Sequence, residues 1–363
     1  MIIKHVVSVS SGKDSVATLL IALERCPAGS VVPLFLDTDN ESQEVYDHLD
    51  YLEQALGITI HRRKADFTEQ IANKRNFIAN DQRTRREYDT VPVFEADGKT
   101  PVPKRNGRGE VVLNKKGAPI QKTVKVGGGR LVRWSNKAKR RALAVLHPSG
   151  NVFLDLCMWK GRFPSRKAQF CTQELKTAMA VEFQMELMDQ GYKVISWQGI
   201  RRNESEQRKN AKLWERVGPA LRIFRPIVER TAQQVFDYAA SKGIQPNPLY
   251  LMGMNRVGCF CINSSKAELR QWSIRLPQHP ARIADWEWIV GQCSKRGFST
   301  FFTDSHAAKD RRQVFADLNV WSRIEWSKTT RGGKQLDLLA DKEESGCSSS
   351  YGLCDSGSME MAV

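Results

Sequence analysis

Ser8-Val9-Ser10-Ser11-Gly12-Lys13-Asp14-Ser15 is the stretch on which the reading of this chain turns. It follows a short apolar strand, His5-Val6-Val7, and leads directly into a helical pattern from Val16 to Leu23. A Ser/Gly-rich turn between strand and helix points several backbone N–H groups at one spot. The positive end of the helix dipole points there too, so the turn is a ready anion cradle. Lys13 adds a mobile charge for a phosphate oxygen, and Ser8, Ser10 and Ser15 add hydroxyl donors. The spacing is not that of a Walker A loop, which needs four residues between its first glycine and Gly-Lys. The bland alternative is a polar turn that merely caps a helix.

Outward from this loop, residues 1 to 64 read as strand, helix, strand, helix, strand. Val31 to Leu36 is a continuous apolar strand ending at Asp37-Thr38-Asp39-Asn40-Glu41, Val45 to Leu56 is an amphipathic helix, and Ile58-Thr59-Ile60 is a short strand. Near-continuous apolar strands alternating with helices predict a parallel sheet covered on both faces. Ligands of such sheets bind outside the carboxyl ends of the strands, where Ser10–Ser15 and Asp37–Glu41 both fall. The alternation resumes with Cys171 to Met188, Tyr192 to Trp197 and a helix after Thr231. Between about residues 65 and 150 it breaks: glycines punctuate β-like runs at 110–113, 123–126 and 131–134, read as inserted hairpins. Residues 265 to 330 look helical and Trp-rich, with Trp286 and Trp288 read as core. The residues from Asp341 are Ser/Gly-rich and read as a flexible tail.

The expected organisation is an α/β nucleotide domain from 1–64 and 151–262, a basic β-hairpin insertion at 65–150, a helical region at 263–340 and a Cys-containing tail at 341–363. At 363 residues, 41% hydrophobic and 26% charged, the composition is that of a globular protein. No apolar run is long enough to span a bilayer, and Lys4 and His5 interrupt any signal-peptide core. A cytoplasmic protein without a membrane partner is expected, its eight cysteines mostly reduced. The net charge of +16 is uneven: Pro101 to Gly150 holds thirteen Lys/Arg and one acidic residue, a net +12. Charge concentrated this way suggests a polyanion surface, DNA or RNA through 101–145, against the plainer reading of a solvated insertion.

Three further segments complete the pattern. Trp197-Gln198-Gly199-Ile200-Arg201-Arg202-Asn203-Glu204-Ser205, with Arg208 beyond, ends a strand with a glycine that allows close backbone approach. Its guanidiniums suit forked recognition of phosphate or sulfate oxygens. Pro246-Asn247-Pro248-Leu249-Tyr250 with Gly253, and Arg256-Val257-Gly258-Cys259-Phe260-Cys261, follow. The six histidines show no ligand spacing and are read as packing or surface residues.

The loop at Ser8 resembles the PP-loop, S-x-S-G-G-K-D-S, of enzymes that cleave ATP between the α- and β-phosphates. With G-I-R-R-x-E-S and N-P-L-Y-x-x-G, the chain resembles the phosphoadenosine phosphosulfate (PAPS) reductase family over residues 1–64 and about 155–290. Phe163-Pro164-Ser165 and Phe170-Cys171-Thr172, with Lys176 beyond, look most like phage- and prophage-encoded members. One departure is Ser11, where the family usually has glycine; serine accepts a positive φ less readily. The resemblance implies a Rossmann-like, doubly wound parallel sheet of the adenine-nucleotide α-hydrolase type, with the basic insertion and helical C-terminal region added. It assigns Ser8, Ser10, Ser11, Gly12, Lys13, Asp14, Ser15, Asp37, Gly199, Arg201, Glu204 and Arg208 to an adenine nucleotide, ATP or PAPS. Lys13 would hold the β/γ-phosphates, Asp14 and Asp37 would help position Mg²⁺, and Arg201 and Arg202 would neutralise developing charge.

Related adenylyl-sulfate reductases carry iron–sulfur cysteines where Cys171, Cys259 and Cys261 lie, and Cys157 could supply a fourth ligand. This chain departs from that pattern twice: C-x-C replaces C-x-x-C, and Phe170 replaces an adjacent cysteine. Buried free thiols are the alternative, and zinc a third. Reductases also use a tail cysteine as nucleophile, a role that would fall to Cys354 or Cys347. Three functions therefore stand side by side. The first is ATP cleavage that drives sulfur transfer, with nucleic acid as acceptor and a sulfur-donor or thiol-reductant protein as partner. The second is sulfonucleotide reduction to sulfite, and the third a non-catalytic nucleic-acid-binding protein. The intact Gly12-Lys13-Asp14-Ser15 favours the first.

Overall fold

Val6 and Val7 are adjacent and both fully buried, each in a different hydrophobic cluster. A strand whose successive side chains both find cores lies in the middle of a sheet with helices on both faces. The computed structural model describes residues 2–82, 86–114, 116–131, 134–303, 311–330 and 335–336. In chain order it runs β1 (Ile3–Ser8), α1 (Lys13–Arg25), β2 (Val31–Asp37), α2 (Gln43–Leu56), β3 (His61–Lys64) and α3 (Thr68–Asn80). An antiparallel pair, β4 (Arg86–Pro92) and β5 (Thr123–Leu131), follows, then α4 (Asn136–Val145), α5 (Val152–Lys160) and α6 (Ala178–Asp189). Next come β6 (Lys193–Trp197), β7 (Trp214–Arg216), β8 (Leu221–Phe224), α7 (Ala232–Ser241) and α8 (Pro248–Leu251). The last helices are α9 (Lys266–Arg275), α10 (Gln278–Gln292), α11 (Arg311–Leu318) and α12 (Val320–Ser327).

The main sheet has the order β3-β2-β1-β6-β8-β7, parallel throughout except for the antiparallel edge strand β7. From β1 the chain builds outward through β2 and β3, and it later returns to β1's other side with β6 and β8. The order therefore reverses between β1 and β6, and the crevice outside their carboxyl ends is where such sheets bind ligands. One face carries the larger core, including Val7, Leu19, Phe35, Leu49 and Leu249. The other is the smaller cluster of Val6, Val32, Leu34, Phe183 and Val194, covered by α6. The sheet is thus doubly wound, as the alternation in the sequence implies.

Three sequence expectations change. The third strand is His61–Lys64, not Ile58–Ile60, and its side chains are largely exposed. An edge strand needs no apolar alternation, and the apolar signal belonged to the connection, where Ile60 is buried. The β-rich part of the basic insertion is confined to 86–131, because α3 and α4 bury Ile71, Ile78, Ala138 and Ala142 in the main core. Trp288 is 61% exposed although Trp286 is buried, since two residues along a helix turns the side chain about 200° away. The 131–134 run lies partly outside the described residues, and the tail with Cys347 and Cys354 wholly so.

The helical C-terminal region is pinned by Glu287 of α10, whose buried carboxylate accepts the N–H groups of Phe301 (2.6 Å) and Val320 (3.1 Å). Burial raises its pKa to about 7 despite those bonds. The folded state therefore holds this proton more tightly than the unfolded chain, and the contribution is lost as pH rises from about 4.5 to 7. Thermal unfolding at several pH values should show the wild-type midpoint falling over that window relative to Glu287→Gln; parallel curves would contradict the assignment.

Candidate nucleotide site

The loop between β1 and α1 is clasped from two sides. A Cβ on Gly199, just past β6, would lie 2.8 Å from the carbonyl carbon and oxygen of Asp14 and 3.0 Å from the Ser15 nitrogen. Only glycine lets the β6 loop reach the first turn of α1 this closely, and the approach brings both loops into the crevice where the sheet order reverses. Behind them Arg201 is 1% exposed, donating from Nε to Asp14 Oδ1 (2.6 Å) and from a terminal nitrogen to Asn203 Oδ1 (2.7 Å). A guanidinium buried this deeply requires a carboxylate partner, and Asp14 of the loop supplies it. Arg202 is likewise engaged, with Ala211 O at 2.9 Å and the Glu229 carboxylate, and Arg208 pairs with Glu204.

The second clasp is the Asn247–Tyr250 segment. Ser11 has φ +64°, the left-handed region that favours glycine. Its side chain is buried and saturated: Asn247 Nδ2 donates to Ser11 Oγ (2.7 Å), and Ser11 Oγ lies 2.9 Å from His48 Nδ1. His48 Nε2 faces the carbonyl of Gln245 at 2.9 Å, which can only accept. Nε2 therefore carries the proton, Nδ1 is the acceptor, and Ser11 donates to it. Burial lowers the His48 pKa and so favours this neutral form. Asn247 also donates to Glu44 O (3.0 Å) and accepts from Leu249 N (2.9 Å), capping α8. Tyr250 accepts the Lys13 backbone N–H (3.0 Å). Ser15 closes the turn from within, accepting from Ser10 N (3.0 Å) and donating to Gly12 O (2.9 Å). The histidine read from sequence as plain packing is therefore part of what lets serine occupy the glycine position.

The Lys13 ammonium lies 3.5 Å from Asp14 Oδ2 and over the rings of Phe236 and Tyr250, at 5.9 and 5.7 Å from their centroids. At the end of β2, Asp37 Oδ1 accepts from Tyr46 Oη (2.7 Å) and Asp39 N (2.9 Å). Glu41 accepts from Thr38 (3.0 Å), faces Lys176 (3.5 Å) and bridges to Cys259. Lys176 comes from a π-helical turn, Thr172–Thr177, a distortion that recurs at functional sites. Its ammonium is stabilised by Glu41, which raises its pKa. Arg282 of α10 donates to Asn40 and holds the same loop. Lys176, Glu41 and Arg282 were not assigned roles from sequence; only the fold brings residues 41, 176, 259 and 282 together.

Asp14 is paired on both oxygens, with Arg201 and Lys13, while both hydrogen bonds to Asp37 fall on Oδ1. Cys157, Cys171, Cys261 and Cys259 are successive electrostatic neighbours. Among the described residues, however, no group of three or more His, Cys, Asp or Glu is arranged to hold a metal ion. Burial pushes Cys157 and Cys171 up, and Cys259 is raised by its hydrogen bond to Cys261. Cys261 alone is lowered, to about 6, chiefly by the Cys259 hydrogen bond, with Asn263 N, Arg256 and Lys176 helping. The four cysteines thus form a row of neighbouring thiols.

Two substitutions test the clasps. Gly199→Ala must push the β6 loop off α1, and loss of about 1–3 kcal/mol with weakened nucleotide affinity is expected from denaturant titration and calorimetry. Ser11→Ala keeps the positive-φ strain and strips both hydrogen bonds, whereas Ser11→Gly strips them but relieves the strain. Ser11→Gly should therefore be the more stable by about 1 kcal/mol; the reverse order would show that φ at this position does not matter.

With this geometry in view, the relatives are informative. The phosphoadenosine phosphosulfate reductase domain matches residues 4–95 and 151–265. The chain is 39% identical, over 97% of its length and 96% of the relative's, to an uncharacterized 37.8 kDa protein in the gpa 5′ region of Escherichia phage 186. It is also similar to the crystal structure of phosphoadenylyl-sulfate reductase from Candida auris in a phosphate complex. That likeness is 14% identical, with a TM-score of 0.36, over 71% of this chain and 81% of that one. No helix among the described residues is long and apolar enough to cross a membrane. By the reach of the domain match, over more than half of its residues, the chain belongs to the phosphoadenosine phosphosulfate reductase family.

Proposed function

We propose that this protein binds ATP in the crevice between the ends of β1 and β6 and cleaves it between the α- and β-phosphates. Pyrophosphate leaves as an acceptor oxygen is adenylated, and sulfide-level sulfur from a donor protein then displaces AMP, with nucleic acid as the acceptor class. The observation that carries this reading is the Ser10–Ser15 loop, held at the switch point of the sheet by Gly199, Asn247 and Tyr250, with Lys13 present. A sulfonucleotide offers that lysine no pyrophosphate to hold, whereas ATP does.

Each part of the loop has a task under this reading. Backbone N–H groups at the start of α1 receive a phosphoryl group, and preorganised donors of this kind stabilise charge without reorganising during reaction. Lys13 leaves Asp14 to meet the β- and γ-phosphates, a short movement because its ammonium is already at the loop. Arg201 keeps Asp14 oriented and the loop closed; it is a positioning residue. Lys176 and Arg282 contribute positive charge beside the Asp37–Glu41 loop.

Family membership favours one competing reading, reduction of a sulfonucleotide to sulfite by a cysteine of the tail. Incubation under anaerobic conditions with labelled ATP or PAPS separates the two: pyrophosphate from ATP supports the proposal, and sulfite from PAPS overturns it. Lys13→Ala should lower pyrophosphate release about 100-fold, the size expected for removing one charge that stabilises the transition state. A variant as active as wild type would remove the lysine from the mechanism.

A further inference from the structure

The match to the reductase domain stops at residue 95 and resumes at 151, so the segment with the densest positive charge is an addition to the family's core. Beyond β4 and β5 it forms a stack of three-stranded rings. In one ring Val93 N donates to Lys122 O (2.9 Å), Lys122 N to Val102 O (2.7 Å) and Val102 N to Val93 O (3.0 Å). In the next, Lys104 N donates to Ile120 O (2.7 Å), Ile120 N to Val112 O (2.9 Å) and Val112 N to Lys104 O (2.8 Å). Each ring closes on itself and leaves no unpaired edge there, so the arm is stiff and protected from strand addition.

This stiffness serves almost no core. Val93, Val102, Pro103, Val111 and Val112 are half-buried, while Lys104, Arg105, Arg108, Lys116, Lys122 and Lys125 are exposed. No ion pair among the described residues involves any residue of 86–131. Elsewhere the surface cations commonly face a carboxylate; here they do not. The arm springs from the far ends of two antiparallel helices, where Lys139 of α4 reaches Ala79 O and Asp81 O at the end of α3. The opposite ends of these helices approach the nucleotide edge, where Asn151 Nδ2 donates to Asp39 O (2.8 Å). The length of α3, 13 residues, separates the arm's base from that edge by roughly 20 Å.

We infer that residues 86–131 form a rigid β-prong that grips double-stranded DNA, with its exposed lysines and arginines on the phosphates. Proteins place β-strands in the grooves of B-form DNA, whereas the major groove of A-form RNA is too deep and narrow for side chains to read. Single strands are held by stacking on aromatic rings; the prong's two aromatics, Tyr88 and Phe94, lie in or next to β4, and residues 101–131 contain no Phe, Tyr or Trp. This names the acceptor of the proposed sulfur transfer as duplex DNA and rests on that reading for its purpose; the binding itself does not depend on it.

The test uses the full chain and a labelled duplex of about 30 base pairs in anisotropy titrations between about 50 and 200 mM salt. The combined variant Lys104→Gln, Arg105→Gln, Arg108→Gln and Lys116→Gln should bind at least about 10-fold more weakly, with the slope of log affinity against log salt reduced by about four. The same variant should keep the melting temperature and ATP affinity of the wild type, and Lys13→Ala should keep DNA affinity. Unchanged DNA binding in the prong variant overturns the inference, as does equal affinity for single-stranded DNA or duplex RNA of the same length. Prong-dependent DNA binding in a protein that releases no pyrophosphate upholds the prong and refutes the proposed reaction.

Discussion

The contact of Gly199 with the first turn of α1 is the constraint from which the rest of the site follows. Two strands that are 185 residues apart in sequence lie side by side, and their loops meet because one of them has no side chain there. The sheet's order reverses at the same place, so the crevice, the helix N-terminus and the close approach coincide. Arg201, two residues beyond Gly199, then lies deep enough to need Asp14, and its ion pair ties the two loops together. A wider gap would expose that pair to water and leave the PP-loop without its rear support.

Serine at position 11 illustrates how a local cost is offset by surroundings. A left-handed residue other than glycine costs about 1–2 kcal/mol. Here its hydroxyl joins a fully matched line of donors and acceptors, from Asn247 through Ser11 and His48 to the Gln245 carbonyl. The same asparagine caps α8, and the same helix carries the tyrosine that accepts the Lys13 N–H. A departure from the family's usual glycine is thereby coupled to the Asn-Pro-Leu-Tyr segment, more than 230 residues away.

Much of the fold was legible because buried parallel strands announce themselves: Val31–Leu36 and the His5–Val7 run are apolar without alternation. The edge strand His61–Lys64 was not legible, since pairing on one side only demands little of its side chains. In the site, the loop itself and Gly199 could be read, because turn chemistry and close approach restrict residue type. The direction of Arg201 could not, since the sequence says that a guanidinium is present but not which carboxylate it meets. His48, Glu41 and Lys176 were illegible for the same reason: each acts through a partner that only the folded chain supplies. The cysteine row was legible only in part, since spacing shows that thiols are near in sequence but not which of them the fold brings together.

The account stands on phosphate recognition by the loop at the end of β1. Its most direct measurement is a crystal structure with an ATP analogue that resists cleavage between the α- and β-phosphates. The prediction is a phosphoryl group about 3 Å from backbone nitrogens within residues 10–15, with the Lys13 ammonium moved from Asp14 onto the β/γ-phosphates. A nucleotide bound elsewhere on the sheet, or bound here with Lys13 still on Asp14 and no phosphate against the loop, would contradict it.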